Sequence, residues 1–427
     1  MEYDGRLKRR LLGLLVARLP EAKLAGVDDP RGKRGRRWPL QALLTAVVVG
    51  VAAGCRSLLQ TEALTDELST AVRRRLGLVR RVPDTTLRQA LVKLAPSEVR
   101  RALRAQVKAA HRRKALEPVG LPFGVMSVDG KSSTSPTSDG RFAQLQHHSE
   151  GSGTSGLVRT MTFSLVSSAA KVCLDAVPIP PATNEMGHFL SALRSVLKGL
   201  GRCRPFRLLT YDAGACSEEN ARGIRAEDLD YLLALNEAQP TLYREAQGQL
   251  ARRTKADAET VDVLSNDRTV TRRLFRTGEL AGFLDWTHLQ TVLRVESVTE
   301  ERGAVVARES RYFLTSLTPD ALTSRQWLLV VRSHWAVENN CHHTWDAVFR
   351  EDDHPWIEKD PQGMVVVMLL RRIAYNLLAL FRAVTQRSED RRQTPWRDLI
   401  RWLCQAVLAA TEDDLSGLRL RESAATL

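Results

Sequence analysis

The chain has 427 residues, enough for two or three domains at about 100–200 residues each. Hydrophobic residues make up 43% and charged residues 26%, an ordinary globular balance. The charge is less ordinary: 63 Lys and Arg against 49 Asp and Glu leave a net +14, which favours a polyanion, nucleic acid first, as partner, with a general Arg-rich background as the bland alternative.

Taken in chain order, residues 1–118 read as a basic, helical, DNA-binding domain. MEYDGRLKRR at the start lacks signal-peptide architecture. The apolar run at 40–55 is shorter than the roughly 18 residues of a spanning helix and contains Gln41 and Thr45, so a buried helix is expected. Just before it, RGKRGRRW gathers Arg31, Lys33, Arg34, Arg36 and Arg37 around two glycines. Such a cluster either follows a phosphate backbone or is a solvated linker. In PDTTLRQALVKL, Asp84 or Thr85 is expected to cap a helix whose Leu87, Leu91 and Leu94 share a face, and a helix-turn-helix is placed between about 60 and 95.

Near residue 120 the texture changes. FGVMSVDG is a short strand ending at Asp129, and 158–168 and 171–179 are strands parted by a turn at Ala169–Ala170. The polar, Gly/Ser-rich stretch 137–156 is expected to be a mobile loop beside the first acid. Residues 184–200 have helical periodicity, 206–212 form a strand ending at Asp212, 217–228 a helix and 230–235 a strand. That order gives an α/β fold on a mixed sheet, with 119–235 as its first part. Residues 236–322 read as a β-rich insertion, with runs at 269–275, 291–297 and 311–317. Helices return from Ser324, so 323–390 completes the core and 391–427 forms a helical tail. The long apolar stretch 364–384 contains Arg371 and Arg372 and reads as a core helix. No membrane association is expected, and the six cysteines, none at CxxC spacing, suit a reducing cytoplasm.

Asp129 and Asp212 each follow an apolar strand and precede small residues. Alone, such an acid more often caps a turn. Two on adjacent strands would repel unless a cation lay between them, and magnesium accepts such oxygen ligands. Two ions ~4 Å apart would clamp the attacking and leaving oxygens of a phosphodiester. The third acid lies in RSHWAVENNCHHTWDAVFRED. There Trp335, Glu338, His342 and Trp345, spaced by three or four, are expected to share a helix face, the tryptophans anchoring it and Glu338 aimed at the sheet edge. His342 and His343 lack the zinc-protease pattern and read as satisfied or solvent-facing. No GxSxG is present, and GSGTSG lacks the Lys-Ser/Thr of a phosphate loop.

These residues resemble the DDE-class insertion-sequence transposases, most closely the H-repeat-associated branch. In that branch the third block reads HW-x-IEN, then HW, LD, F and ED, and His334, Trp335, Glu338, Asn339, His342, Asp346, Phe349, Glu351 and Asp352 match it. DGK at Asp129, TNE at 183–185, DPRGKRGRRWPLQALL and RRIAYNLL also fit, so the resemblance covers about 25–385. It implies a ribonuclease-H-like core with Asp129, Asp212 and Glu338 as catalytic and metal-binding acids. It further implies two Mg2+ ions with Mn2+ as an alternative, and cleavage at element ends followed by strand transfer into target DNA. The partner would be double-stranded DNA, terminal repeats and target alike, bound by a homodimer on paired ends. Lys131 and Arg332 are candidate phosphate contacts, with solvated surface roles as their alternative. Three features depart from the pattern: SSTSP after DGK in place of an Arg-containing segment, Asn236-Glu237 in place of a lysine, and His343 in place of the block's second Trp. A non-catalytic, domesticated DNA-binding relative and a stand-alone nuclease are therefore the competing readings.

Overall fold

The computed structural model describes residues 3–147, 154–264, 267–386, 388–416 and 418. Six helices come first: α1 (Gly5–Arg18), α2 (Leu40–Ala52), α3 (Leu58–Glu67), α4 (Thr70–Arg75), α5 (Asp84–Leu91) and α6 (Pro96–Arg112). All of α2 except Gln41 is buried, as a helix apolar on every side requires. Side-chain caps start α3 at Ser57 and α4 at Ser69. At α5 the cap position is Pro83 rather than Asp84 or Thr85; Asp84 is the first helical residue, its N–H donating to Glu62 Oε2 at 2.9 Å.

The remaining chain builds a mixed α/β structure on one ten-stranded sheet. Its strands are β1 (Val125–Ser135), β2 (Gln144–His147), β3 (Thr154–Leu165), β4 (Cys173–Pro178), β5 (Leu208–Tyr211), β6 (Asp230–Leu235), β7 (Ala258–Leu264), β8 (Arg268–Thr277), β9 (Thr291–Glu301) and β10 (Ala304–Thr315). Between them lie α7 (Glu185–Leu200), α8 (Glu218–Arg225) and α9 (Pro240–Ala251). Antiparallel β4, β3 and β1 are followed by β5 and β6, both parallel to β1. The β-rich stretch does not stand apart. β10 pairs antiparallel with β6, and β9, β8 and β7 continue outward as a meander, so the main sheet runs straight into it. Part of the expected loop at 137–156 is strand as well: β2 and the first residues of β3 pair with each other, while 148–153 lie outside the described residues.

The chain then forms α10 (Ser324–His334), a π-helical turn at Val337–His342, α11 (His343–Ala347), α12 (Pro361–Leu380), α13 (Glu389–Arg392), α14 (Trp396–Leu408) and α15 (Glu412–Ser416). By length and composition α12 could cross a bilayer, yet it is enclosed by protein, packed on α6 and α2. Arg371 and Arg372 are both buried inside it. Glu351 lies against them, bonded through Oε1 to Arg372 Nη2 at 2.8 Å and through Oε2 to Nη1.

Candidate active site

β1 and β5 pair only as far as Ser127 and Thr210. Asp129 lies just beyond the last of these rungs, and Asp212 follows the end of β5. Both acids therefore sit at the carboxyl ends of neighbouring parallel strands, where open α/β sheets present their crevices. Asp129 does not end its strand, however. β1 continues to Ser135 because SSTS keeps pairing with β3, Asp129 standing opposite Thr162. Asp212 caps a short 3-10 turn, Oδ1 accepting from Gly214 N at 3.1 Å.

Glu338 arrives from α10, which a Thr323–Gln326 capping box starts. The single helical face expected for Trp335, Glu338, His342 and Trp345 is interrupted, because the π-helical turn inserts between α10 and α11 and changes the phase. Glu338 and Asn339 are exposed, whereas Val337, Cys341 and Trp345 are buried. His342 turns to the sheet: Nδ1 lies 3.1 Å from Asp129 Oδ2 and Nε2 3.1 Å from Thr162 Oγ1. The imidazole thus bridges a cross-strand pair and fixes the Asp129 carboxylate. His343 is exposed.

Alternate residues of β1 bind the end of α10 and the segment after it in order. Ser127 Oγ donates to the His334 carbonyl at 2.8 Å. Lys131 Nζ donates to Asp346 Oδ1 at 2.7 Å and to Asp352 at 3.2 Å, and Ser133 Oγ to Asp352 Oδ1 at 2.7 Å. Ser135 Oγ bonds the Glu358 carbonyl. Period-two geometry puts these side chains, with Asp129, on one face of the strand.

A fourth carboxylate joins the group. Glu185 opens α7, capped by Asn184, and its Oε1 accepts from Tyr211 OH at 2.6 Å. A Cβ at Gly130 would stand 1.9 Å from Glu185 Oε2, so only glycine lets this carboxylate lie against β1 beside Asp129. Loss of hydration raises the carboxyls of Asp212 and Glu185, and that of the exposed but partly shielded Glu338, above the ordinary range, and the charge on Asp129 raises each further. Arg311 works the other way on Glu338, as His342 does on both glutamates. Arg311 stacks on Trp335 at 4.5 Å and lines two clefts: one of about 360 Å3 containing Asp212, and one of about 500 Å3 containing Glu338. Its position far along β10 carries no signal in the sequence. Glu185 lies within the TNE match, but an acid in a helix's first turn is usually a dipole partner.

Among the described residues, no three His, Cys, Asp or Glu side chains close to the spacing of a metal-ligand set. The donor chemistry nevertheless fits a hard divalent cation: the donors are carboxylate oxygens, and three of the carboxyls are raised by loss of hydration first and by neighbouring carboxylate charge second.

The expected phosphate contacts divide in two. Lys33, Arg34, Arg36 and Arg37 are exposed. Arg31 is buried, bidentate to Asp29 at 2.9 and 2.8 Å and donating to the Trp38 carbonyl at 2.6 Å, so it organises the loop instead. Lys131 is likewise internal, only 8% exposed and held by Asp346 and Asp352. Arg332 is exposed and reaches Asp262 on β7 at 2.9 Å.

Residues 22–107 match the family model described as DDE_Tnp_1-associated. The chain is 23% identical over 268 residues to "H repeat-associated putative transposase YhhI" of Escherichia coli (strain K12), covering 60% of this chain and 64% of that relative. To "Putative transposase YncI" of Escherichia coli O157:H7 it is 25% identical over 181 residues, 40% of this chain and 45% of the relative. The chain thus spans 64% of the length of the first of these relatives. The solved piggyBac transposase synaptic complex with hairpin DNA overlays 100% of this chain and 87% of its own, at 13% identity and a TM-score of 0.41, too loosely to bear on the site. The chain carries a DDE_Tnp_1-associated domain and resembles the H-repeat-associated transposases.

Proposed function

We propose that this chain is a DDE-class DNA transposase. The observation that carries the reading is the placement of Asp129 just past the last β1–β5 rung and of Asp212 just past the end of β5, with Glu338 brought into the same electrostatic field by the segment after α10. Three antiparallel strands followed by two parallel ones support a ribonuclease-H-like core. Asp129, Asp212 and Glu338 would hold two Mg2+ ions, or Mn2+, which when bound polarise the phosphodiester and activate the attacking oxygen. His342 holds the Asp129 carboxylate in one orientation, and Glu185 adds negative charge beside it. Arg311 and Arg332, lining the Glu338 cleft, are placed to meet phosphates entering there. The exposed Lys33, Arg34, Arg36 and Arg37 form a sequence-independent contact for double-stranded DNA. A homodimer on paired element ends is part of the same proposal.

The test is cleavage and joining of DNA carrying the element's own ends in magnesium or manganese, with wild type, Asp129→Asn and Glu338→Gln compared. The expected result is loss of both products in the variants with DNA binding retained. Cut ends without joined molecules would identify a nuclease. Wild-type binding without any cleavage would overturn the catalytic reading in favour of a DNA-binding relative.

A further inference from the structure

A separate cavity of about 430 Å3 opens behind the π-helical turn. Its walls are the β3–β4 connection, α10, the end of α12, α13 and the start of α14. Three cations line it: Lys171, Arg382 and Arg392. The acid that lines it, Glu389, is 3.8 Å from Arg392 with a side chain 70% exposed. Among the described residues, Lys171 Nζ makes no hydrogen bond or ion pair. Its backbone is well anchored, the carbonyl accepting from Tyr375 OH at 3.0 Å and Cys341 Sγ at 3.4 Å. Arg382 stacks on Trp396 at 5.3 Å and donates through Nε to the Thr394 carbonyl at 2.8 Å; the rest of its guanidinium fork has no hydrogen-bond partner among the described residues. Ser168 lines the cavity and is 2% exposed, and its Oγ has no hydrogen-bond partner among the described residues.

Two cations facing one shielded space without a counter-anion repel one another, and a buried unpaired hydroxyl costs free energy too. Burial lowers the Lys171 ammonium, and the charge on Arg382 lowers it further. An anion in the cavity would relieve all three groups at once. Ammonium, guanidinium and hydroxyl donors together suit phosphate oxygens. The cavity is large enough for more than a bare ion, and its floor is aromatic: Tyr375 and Trp396 stack at 5.4 Å with 21° between their planes.

We propose that this cavity binds a nucleotide phosphate, its oxygens on Lys171, Arg382 and Ser168 and its organic body against Tyr375 and Trp396. Asn340, on the same π-helical turn as Glu338, lines this cavity, whereas Glu338 and Asn339 line the cleft on the other side. An occupant therefore touches the turn that positions the catalytic acid. The phosphate comes either from a DNA strand or from a free nucleotide.

Calorimetric titration of the full chain in phosphate-free buffer distinguishes the sources, with inorganic phosphate, dAMP and a short DNA duplex as probes. Wild type should bind dAMP, and phosphate more weakly, if the ligand is free; it should bind only the duplex through this site if the phosphate belongs to DNA. For the duplex, which Lys33, Arg34, Arg36 and Arg37 also engage, Lys171→Gln should lower the affinity measurably; for dAMP it should weaken binding at least tenfold, and Lys171→Arg should restore it. Lys171→Glu should abolish it while raising the melting temperature, because the new carboxylate pairs with Arg382. The proposal is overturned if no probe binds in a way that Lys171→Gln weakens, or if Lys171→Glu melts below wild type.

Discussion

Glu351→Gln tests how the acid-bearing segment is held. Glu351 and Arg372 are both 0% exposed, joined by two hydrogen bonds of which one measures 2.8 Å, and Arg371 Nη1 lies 3.8 Å from the same carboxylate. The Arg372 guanidinium also sits 3.6 Å from the Trp345 ring centroid, on the helix directly after the Glu338 turn. Removing the carboxylate charge leaves two guanidiniums in the core without their anion, and breaking a buried pair in this way costs about 3–5 kcal/mol. A folded protein holds roughly 5–15 kcal/mol in total, so the loss should be plain in denaturant titrations followed by circular dichroism at neutral pH. Arg372→Met in the same chain should return much of it, since a neutral pair of similar volume is often tolerated. Burial pushes the Glu351 carboxyl up, but the Arg372 charge and hydrogen bonds and the Arg371 charge outweigh it and hold the group below its ordinary value. A depressed carboxyl stabilises the fold above its unfolded value, about 4.3, and that stability disappears as pH falls through the folded value. The gap between wild type and Glu351→Gln should therefore narrow below about pH 4. A loss under about 1 kcal/mol at neutral pH, or a double variant no better than the sum of the singles, would refute this account.

Gly130→Ala places a Cβ 1.9 Å from Glu185 Oε2. It should displace the Glu185 carboxylate and cut metal-dependent cleavage at least tenfold with little change in melting temperature, because the far end of a flexible side chain can swing away; unchanged cleavage would count against a role for the Glu185 position. Replacing Lys33, Arg34 and Arg37 by Gln should flatten the salt dependence of DNA binding by roughly 0.9 in log–log slope for each phosphate left unneutralised, read by anisotropy over a salt series. Arg31→Gln should instead lower the melting temperature, because Asp29 loses its bidentate partner; the reverse pattern would exchange their roles. Raised carboxyls at Asp212, Glu338 and Glu185 mean that the metal-free fold loses stability as pH rises above the ordinary carboxylate range. Thermal stabilisation by magnesium should then be larger at pH 8 than at pH 5, and a larger effect at pH 5 would count against the acids as its site.

Much of the layout is legible in the sequence because it rests on local signals. Apolar runs mark β1, β5 and β6, periodicity marks α7, and the dense block around Glu338 stands out by composition. What escapes depends on distant partners. Ser132 to Ser135 are too polar to suggest a strand until β3 is beside them, so the sequence by itself ends β1 at Asp129. α9 and β7 fall in a stretch of weak patterning that hides them. Arg31 and Lys131 look like any exposed cation until Asp29, Asp346 and Asp352 close on them. His342 reads as satisfied or solvent-facing; it is satisfied, but by Asp129 and Thr162. A π-helical turn has no reliable residue signature, so spacing alone makes the third block a regular helix.

The role of the SSTS segment is visible in the pairing. On one face of β1, Ser127, Asp129, Lys131, Ser133 and Ser135 meet His334, His342, Asp346 with Asp352, Asp352 again, and Glu358. Each step along the strand matches a step along the segment that carries Glu338. The register of one against the other is therefore fixed at five points, and a slip of one residue would turn every one of these side chains to the opposite face. A π-helical turn by itself is a weakly determined element, because its hydrogen bonding competes with the α-helical alternative. Pinned before it at His334, within it at His342 and after it at Asp346 and Asp352, the turn has little freedom left, and Glu338 is held by that constraint where the Asp129 charge raises its carboxyl. Hydroxyls and one lysine suffice for this, since the ladder needs donors of the right length rather than charge at every step. The SSTS segment thus does its structural task with short side chains, while Arg272, Arg311 and Arg332 line the Glu338 cleft.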